Sequence, residues 1–228
     1  MCGRYAASAN PDDLVEEFEA VVRPEESLAP DYNVAPTKKV YAVMDRRPRG
    51  EPDAEPRREL AVVTWGLVPS WAKDPSIGSR MINARMETVA EKPAFKRAFA
   101  KRRCLLPADG GILAMAGLYE LWRDPTRADD DPLAWRMTTT VLTTTAEDAV
   151  GMIHDRMPLF VERERWHDWL DPSLDGSTSD LTALLVPAAP GRLDAYPVST
   201  AVNAVRNNGP ELVEPIAAED ATEPDALF

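Results

Sequence analysis

Stretches rich in Val, Thr, Ile and aromatic residues recur at 40–44, 60–65, 112–122, 137–144, 157–161 and 196–202, each bounded by Pro, Gly or Asp. Such stretches read as β-strands, and they outnumber the helical segments without alternating regularly with them. A doubly wound parallel fold needs that alternation. The expected fold class is therefore α+β: a single domain with a mostly antiparallel sheet or barrel-like core flanked by helices. The first helix opens where Asn10 can cap, Pro11 suits the first helical position, and Asp12 and Asp13 meet the positive end of the dipole. Leu14, Phe18 and Val21 follow at i, i+4 and i+7, which predicts one inward stripe. A second helix is expected from about Pro93, with Phe95, Ala98, Phe99 and Arg102 marking its faces. A third is expected over 162–170, with Trp166, Trp169 and Leu170 inward and Asp171-Pro172 ending it. Leu181, Leu184 and Leu185 suggest a short fourth. The Pro-, Arg- and Glu-dense segment 46–58 reads as a solvated hairpin insertion.

The chain has 228 residues, enough for one sizeable core, and shows neither an internal repeat nor a clean linker. We expect one domain over 1–216 and a loose acidic tail over 217–228. Two cysteines, Cys2 and Cys104, exclude a disulfide framework and point to the reducing cytoplasm. No apolar run is long enough for a membrane span, and no apolar h-region follows the N-terminus. Lys and Arg number 26 against 38 Asp and Glu, a net charge of −12, the reverse of a nucleic-acid binder's basic footprint. The charge is uneven, however. Segment 92–103 holds Lys92, Lys96, Arg97, Lys101, Arg102 and Arg103 without an acid, which allows a local positive face. Phosphate-loop, dinucleotide-glycine, nucleophile-elbow and metalloprotease motifs are all missing. The cysteines and histidines, at 2, 104, 154 and 167, lack zinc spacing. Neither a metal nor a cofactor is expected.

Cys2 is the unusual chemical feature. Removal of Met1, which a small following side chain permits, would leave an α-amine and a thiol on one residue. Their reference pKa values are about 7.7–8.0 and about 8.5, so both are partly nucleophilic near neutrality. An aldehyde meeting this pair forms an imine at nitrogen, and sulfur then closes on the same carbon to give a thiazolidine. An internal cysteine cannot do this, because its nitrogen is an amide.

The surrounding blocks carry more. Met1-Cys2-Gly3-Arg4-Tyr5-Ala6, Tyr32-Asn33-Val34-Ala35-Pro36-Thr37 and Trp65-Gly66-Leu67-Val68-Pro69-Ser70-Trp71 come first. Ile82-Asn83-Ala84-Arg85-Met86-Glu87-Thr88, Arg103-Cys104-Leu105-Leu106-Pro107-Ala108-Asp109-Gly110, Ile153-His154-Asp155-Arg156-Met157-Pro158 and Val205-Arg206-Asn207-Asn208-Gly209 follow. In this order, over about 1–216, the chain resembles the SRAP family, the abasic-site processing proteins also called SOS response-associated peptidases. The resemblance implies covalent capture of abasic sites in single-stranded DNA through Cys2, by a monomer without metal or membrane partners. It implies that Asn83 senses the sugar and that His154 acts beside the abasic carbon. It places Arg4, Arg85 and Arg156 on DNA phosphates, and Trp71 and Thr143 near the nucleotide-contacting surface. A carboxamide can orient a sugar hydroxyl, an imidazole can move a proton, a guanidinium grips phosphate and an indole stacks on a base. Cys104 reads as a core thiol and His167 as structural.

The chain departs from the family after Gly110. The family continues there with an aromatic pair, a glutamate and a hairpin; here Gly111-Ile112 follows directly, so about twenty residues, a hairpin's length, are missing. The family's acidic residue goes with them, and a lost strand is expected to leave a gap or an edge in the sheet. Glu120 superficially imitates the lost glutamate but is expected to point to solvent. Two other functions remain open: a thiol hydrolase with Cys2 as nucleophile and His154 as base, and a degenerate copy that binds DNA without reacting.

Overall fold

The computed structural model describes residues 2–217, apart from 49, 52, 109–112, 175–177, 188, 190 and 192. Among the described residues nine strands form: β1 (Tyr5–Ala7), β2 (Asp31–Val34), β3 (Lys39–Arg46), β4 (Arg57–Trp65), β5 (Asn83–Arg85), β6 (Arg103–Ala108), β7 (Leu113–Arg123), β8 (Trp135–Thr145) and β9 (Arg156–Pro158). The helices are α1 (Pro11–Glu17), α2 (Lys96–Lys101), α3 (Asp148–Gly151), α4 (Trp166–Leu170) and α5 (Thr178–Thr182). Strands β4, β3, β6, β7 and β8 pair antiparallel in that order, and β8 returns to β4 in parallel through Thr64–Thr138 and Trp65–Thr139. The sheet closes into a mixed five-stranded barrel.

Alternation along each strand divides the side chains between its two faces. Val40, Ala42, Met44, Val63, Trp65, Cys104, Leu106, Met115, Tyr119 and Val141 fill the interior. Gly117 is the narrow point: a Cβ there would lie 2.9 Å from Cys104 Sγ and from a Leu106 methyl. The alternate residues Tyr41, Val43, Leu105, Ala116, Leu118 and Leu142 face outward and are covered by Leu14 of α1 and Phe18 just after it, Phe99 of α2 and Trp166 and Trp169 of α4. Phe18 stacks on Trp166 with ring centroids 4.3 Å apart. The β1–β2 ribbon packs Tyr5 and Val34 onto the interior cluster, Tyr5 meeting Trp65 edge-on at 5.4 Å.

Several expectations need correction. Direct β6–β7 pairing, from Arg103–Leu118 to Ala108–Leu113, leaves no gap where the missing hairpin was expected to open one. The junction itself, 109–112, lies outside the described residues. Val21 is 71 % exposed rather than inward. α1 ends at Glu17, Glu19 takes a positive φ of 54°, and the chain leaves the helix before the third stripe position. α2 begins at Lys96, not near Pro93, and Arg102 lies past its end. Segment 196–202 forms an isolated bridge, Val198 to Pro215, and a 3₁₀ turn over Thr200–Asn203 instead of a strand. The expected tail beyond 217 lies outside the described residues. No helix among the described residues is long and apolar enough to cross a membrane.

Candidate functional site at the end of β8

β8 outruns the barrel. Its first half bonds β4 and β7, while its second half carries β5 on one side and β9 on the other. The registers set Asn83 against Val141, Arg85 against Thr143, and Arg156 against Thr145. Asn83 and Arg85, two residues apart on an extended strand, share a face. The N-terminal segment lies across this end. Asn83 Nδ2 donates to the Cys2 carbonyl at 2.9 Å, and Cys2 Sγ sits 3.9 Å from the Arg156 carbonyl. Cys2 thus touches both flanks of β8. Its thiol is half-buried, and burial raises its pKa, opposed by the positive charge of the chain terminus and of Arg156. Asn83 Oδ1 is buried and has no hydrogen-bond partner among the described residues.

Arg156 ties the site together. Its guanidinium donates to both Glu87 oxygens, at 2.7 and 3.0 Å, and to the Thr143 carbonyl at 2.5 Å. The Arg156 hydrogen bond holds the Glu87 carboxyl below the usual carboxylate range. The Arg156 backbone N–H donates to His154 Nδ1 at 2.9 Å, so neutral His154 carries its proton on Nε2. Asp155 Oδ1 also lies 2.9 Å from Nδ1.

Cys2, Asn83, His154, Thr143 and Arg156 therefore converge. Thr143 is buried, accepts from Arg156 at 3.3 Å and sits 3.5 Å from the Ala84 carbonyl. It supports the guanidinium instead of forming part of the surface. Arg85 is exposed beside the site, and Trp71 is 58 % exposed on a separate loop. Arg4 is otherwise engaged, donating to Asn33 Oδ1, Val202 O and Asn203 O. Buried Asn33 in turn donates to Val202, Ala204 and Asn207 carbonyls, pinning that loop to β2.

Sequence reasoning missed Glu87 and Asn33 as site builders, although both stand within the quoted blocks. It also misplaced Glu120, whose side chain is 4 % exposed and pairs with Arg102 at 2.7 Å rather than facing water. Among the described residues, no cluster of His, Cys, Asp or Glu could hold a metal ion.

The family model for SOS response associated peptidase (SRAP) matches residues 1–112 and 108–205, two segments that overlap over 108–112. The abasic site processing protein YoqW of Bacillus subtilis is 36% identical over 237 residues, covering 94% of this chain and 99% of that protein. YedK of Escherichia coli, also named an abasic site processing protein, is 27% identical over 95% of this chain and 100% of its own length. A crystal structure of a Bacteroides thetaiotaomicron protein superposes with a TM-score of 0.75 at 22% identity, covering 95% of this chain and all of that one, and shows the same fold. With that architecture, and with matches along nearly its whole length, the chain belongs to the SRAP family.

Proposed function

We propose that this protein captures abasic sites in single-stranded DNA through Cys2 after loss of Met1. The observation that carries the reading is the Cys2–Asn83 contact. It fixes the reactive residue beside a buried carboxamide oxygen that lacks a donor among the described residues. An unpaired buried acceptor is costly, and a deoxyribose hydroxyl is a donor that would relieve it. The relatives named as abasic site processing proteins support the same substrate.

The chemistry follows from the groups present. The freed Cys2 amine adds to the ring-opened aldehyde carbon, and the resulting carbinolamine loses water to give an imine. Cys2 sulfur then adds to the imine carbon as its proton passes to nitrogen, closing a thiazolidine. His154, with Nδ1 already held as an acceptor, is placed to move protons during sugar opening, ring closure and reversal. Arg85 and Arg156 serve the phosphates, with Arg156 exchanging part of its Glu87 contact for DNA, and Trp71 offers a stacking face. Arg4 contributes charge while stapling the 202–207 loop. The hydrolase alternative finds less support, because the neighbour of Sγ is a backbone carbonyl, which cannot serve as a general base.

Incubation with an abasic oligonucleotide should give an adduct that survives denaturation without added reductant. Cys2→Ala should abolish it. Cys2→Ser, which keeps the amine, should give an adduct only when borohydride traps the imine. An adduct that persists in Cys2→Ala would overturn the proposal.

A further inference from the structure

The outer wall of β7 carries a second feature, away from the Cys2 cluster. Leu118, Glu120 and Trp122 alternate onto the same outward face of this strand. Leu118 is covered by the helical layer. Trp122 Nε1 donates to Ala72 O at 2.7 Å and so anchors the loop that carries Trp71. Between that loop and α2 lies a cleft of about 640 Å³, lined by Pro69, Trp71, Pro93, Lys96, Arg97 and Glu120. Volumes of roughly 300–1,000 Å³ suit a small organic ligand.

The lining is chemically divided. Trp71, Lys96 and Arg97 are exposed, and among the described residues neither Lys96 nor Arg97 makes a salt bridge. Beneath them Glu120 is nearly buried. Its Oε1 lies 2.7 Å from Arg102 Nη1 in an ion pair and accepts from the Leu121 N–H at 3.1 Å. Burial raises its pKa, and the Arg102 and Arg97 charges oppose that rise. An aromatic plane, two outward cations and one recessed acceptor match the parts of a nucleotide: a base face, a phosphate, and an amino edge.

We infer, resting on the DNA-binding reading above, that this cleft holds one undamaged nucleotide of the bound strand. Trp71 stacks on the base, Lys96 and Arg97 meet the phosphate, and Glu120 accepts from an exocyclic amino group. Cytosine and adenine supply such a donor, whereas thymine turns its O4 acceptor toward the carboxylate. The protein thus selects the sequence context in which it works.

The test uses Cys2→Ala protein and oligonucleotides without abasic sites, so that failure of capture and failure of the cleft are separate results. Oligo-dC should bind about tenfold tighter than oligo-dT of equal length, the size of one hydrogen bond to a charged acceptor. Glu120→Gln, which can donate as well as accept, should bring the two affinities into line. Lys96→Glu and Arg97→Glu, both at exposed positions, should weaken the two oligonucleotides alike and lower the salt slope by about one each. Equal affinity for the two oligonucleotides, or no loss in the charge reversals, would overturn the proposal. So would dCMP competing as well as oligo-dC, because the cleft would then be a site for free nucleotides.

Discussion

The two thiols of this chain differ in surroundings more than in sequence. Cys2 is half-buried at the end of β8, while Cys104 is sealed in the barrel and its thiol is pushed up to about 12 by burial. Iodoacetamide should therefore label Cys2 and spare Cys104 in the folded protein, with a rate that climbs as pH passes the ordinary thiol range. Arg156→Ala removes a charge that lowers the Cys2 pKa, so the midpoint of that climb should move to higher pH. Equal labelling of both cysteines would contradict this picture. Asn83→Asp replaces the donor facing the Cys2 carbonyl with an acceptor. Capture should slow by about 10²-fold, the usual penalty for a reacting group misplaced by an ångström, as measured by the initial rate of adduct formation. Cys2 drew notice by its position, because only a terminal cysteine offers both nucleophiles. Position alone, however, reads as an accident of translation start, and only the surrounding blocks single it out. Asn83 was legible only within its block, since an isolated asparagine reads as a turn residue. Glu87 was not legible, because its partner Arg156 stands 69 residues away and nothing local marks the pair.

Among the elements, β6 shows how the pieces are held together. Arg103 at its start is buried. Its guanidinium donates to the Phe99 and Ala100 carbonyls at the end of α2, and to the Trp169 and Asp171 carbonyls at the end of α4. Those carbonyls have no intrahelical donors of their own. Arg103→Met should cost about 3 kcal/mol in urea unfolding, since several buried acceptors lose their donor at once. Gly117→Ala forces a methyl against Cys104 and Leu106 and should cost about 1–3 kcal/mol by the same assay. The long strands β3, β4, β7 and β8 and the tryptophan-bearing helix α4 could be read from composition and period. β1, β2 and β5 could not. They have three or four residues each, and their pairing with distant strands makes them strands more than any propensity of their own. Segment 196–202 has strand-like composition, but Arg4 and Asn33 hold its last carbonyl, that of Val202, together with those of Asn203, Ala204 and Asn207 in an irregular loop.

For the whole molecule, the barrel closes because β7 pairs directly with β6 and β8 returns to β4. Closure gives β8 the platform on which it holds the Cys2 cluster. His154→Ala should slow capture by about 10²–10⁴-fold, the usual contribution of a positioned proton-transfer group. An unchanged initial rate of adduct formation would show that another group moves the protons. The closed interior also sets a pH limit. The Cys104 and Tyr119 pKa values are each pushed up to about 12 by burial, from 9.0 and 10.0. The unfolded chain loses these protons first, so stability is intact below about 9 and falls as pH rises from there toward 12. Thermal melts across that range should show the decline, and a melting temperature that stays level would contradict it. The antiparallel, barrel-like class was readable from the run of strands. Closure was not, since it rests on the parallel return of β8 to β4, a contact between segments some seventy residues apart. The most direct test of the central claim is the intact mass of the protein after incubation with an abasic oligonucleotide under denaturing readout. We expect a species equal to the protein without Met1 plus the oligonucleotide, less one water. Protein that keeps Met1 and yet forms the adduct, or protein that has lost Met1 and forms none, would contradict it.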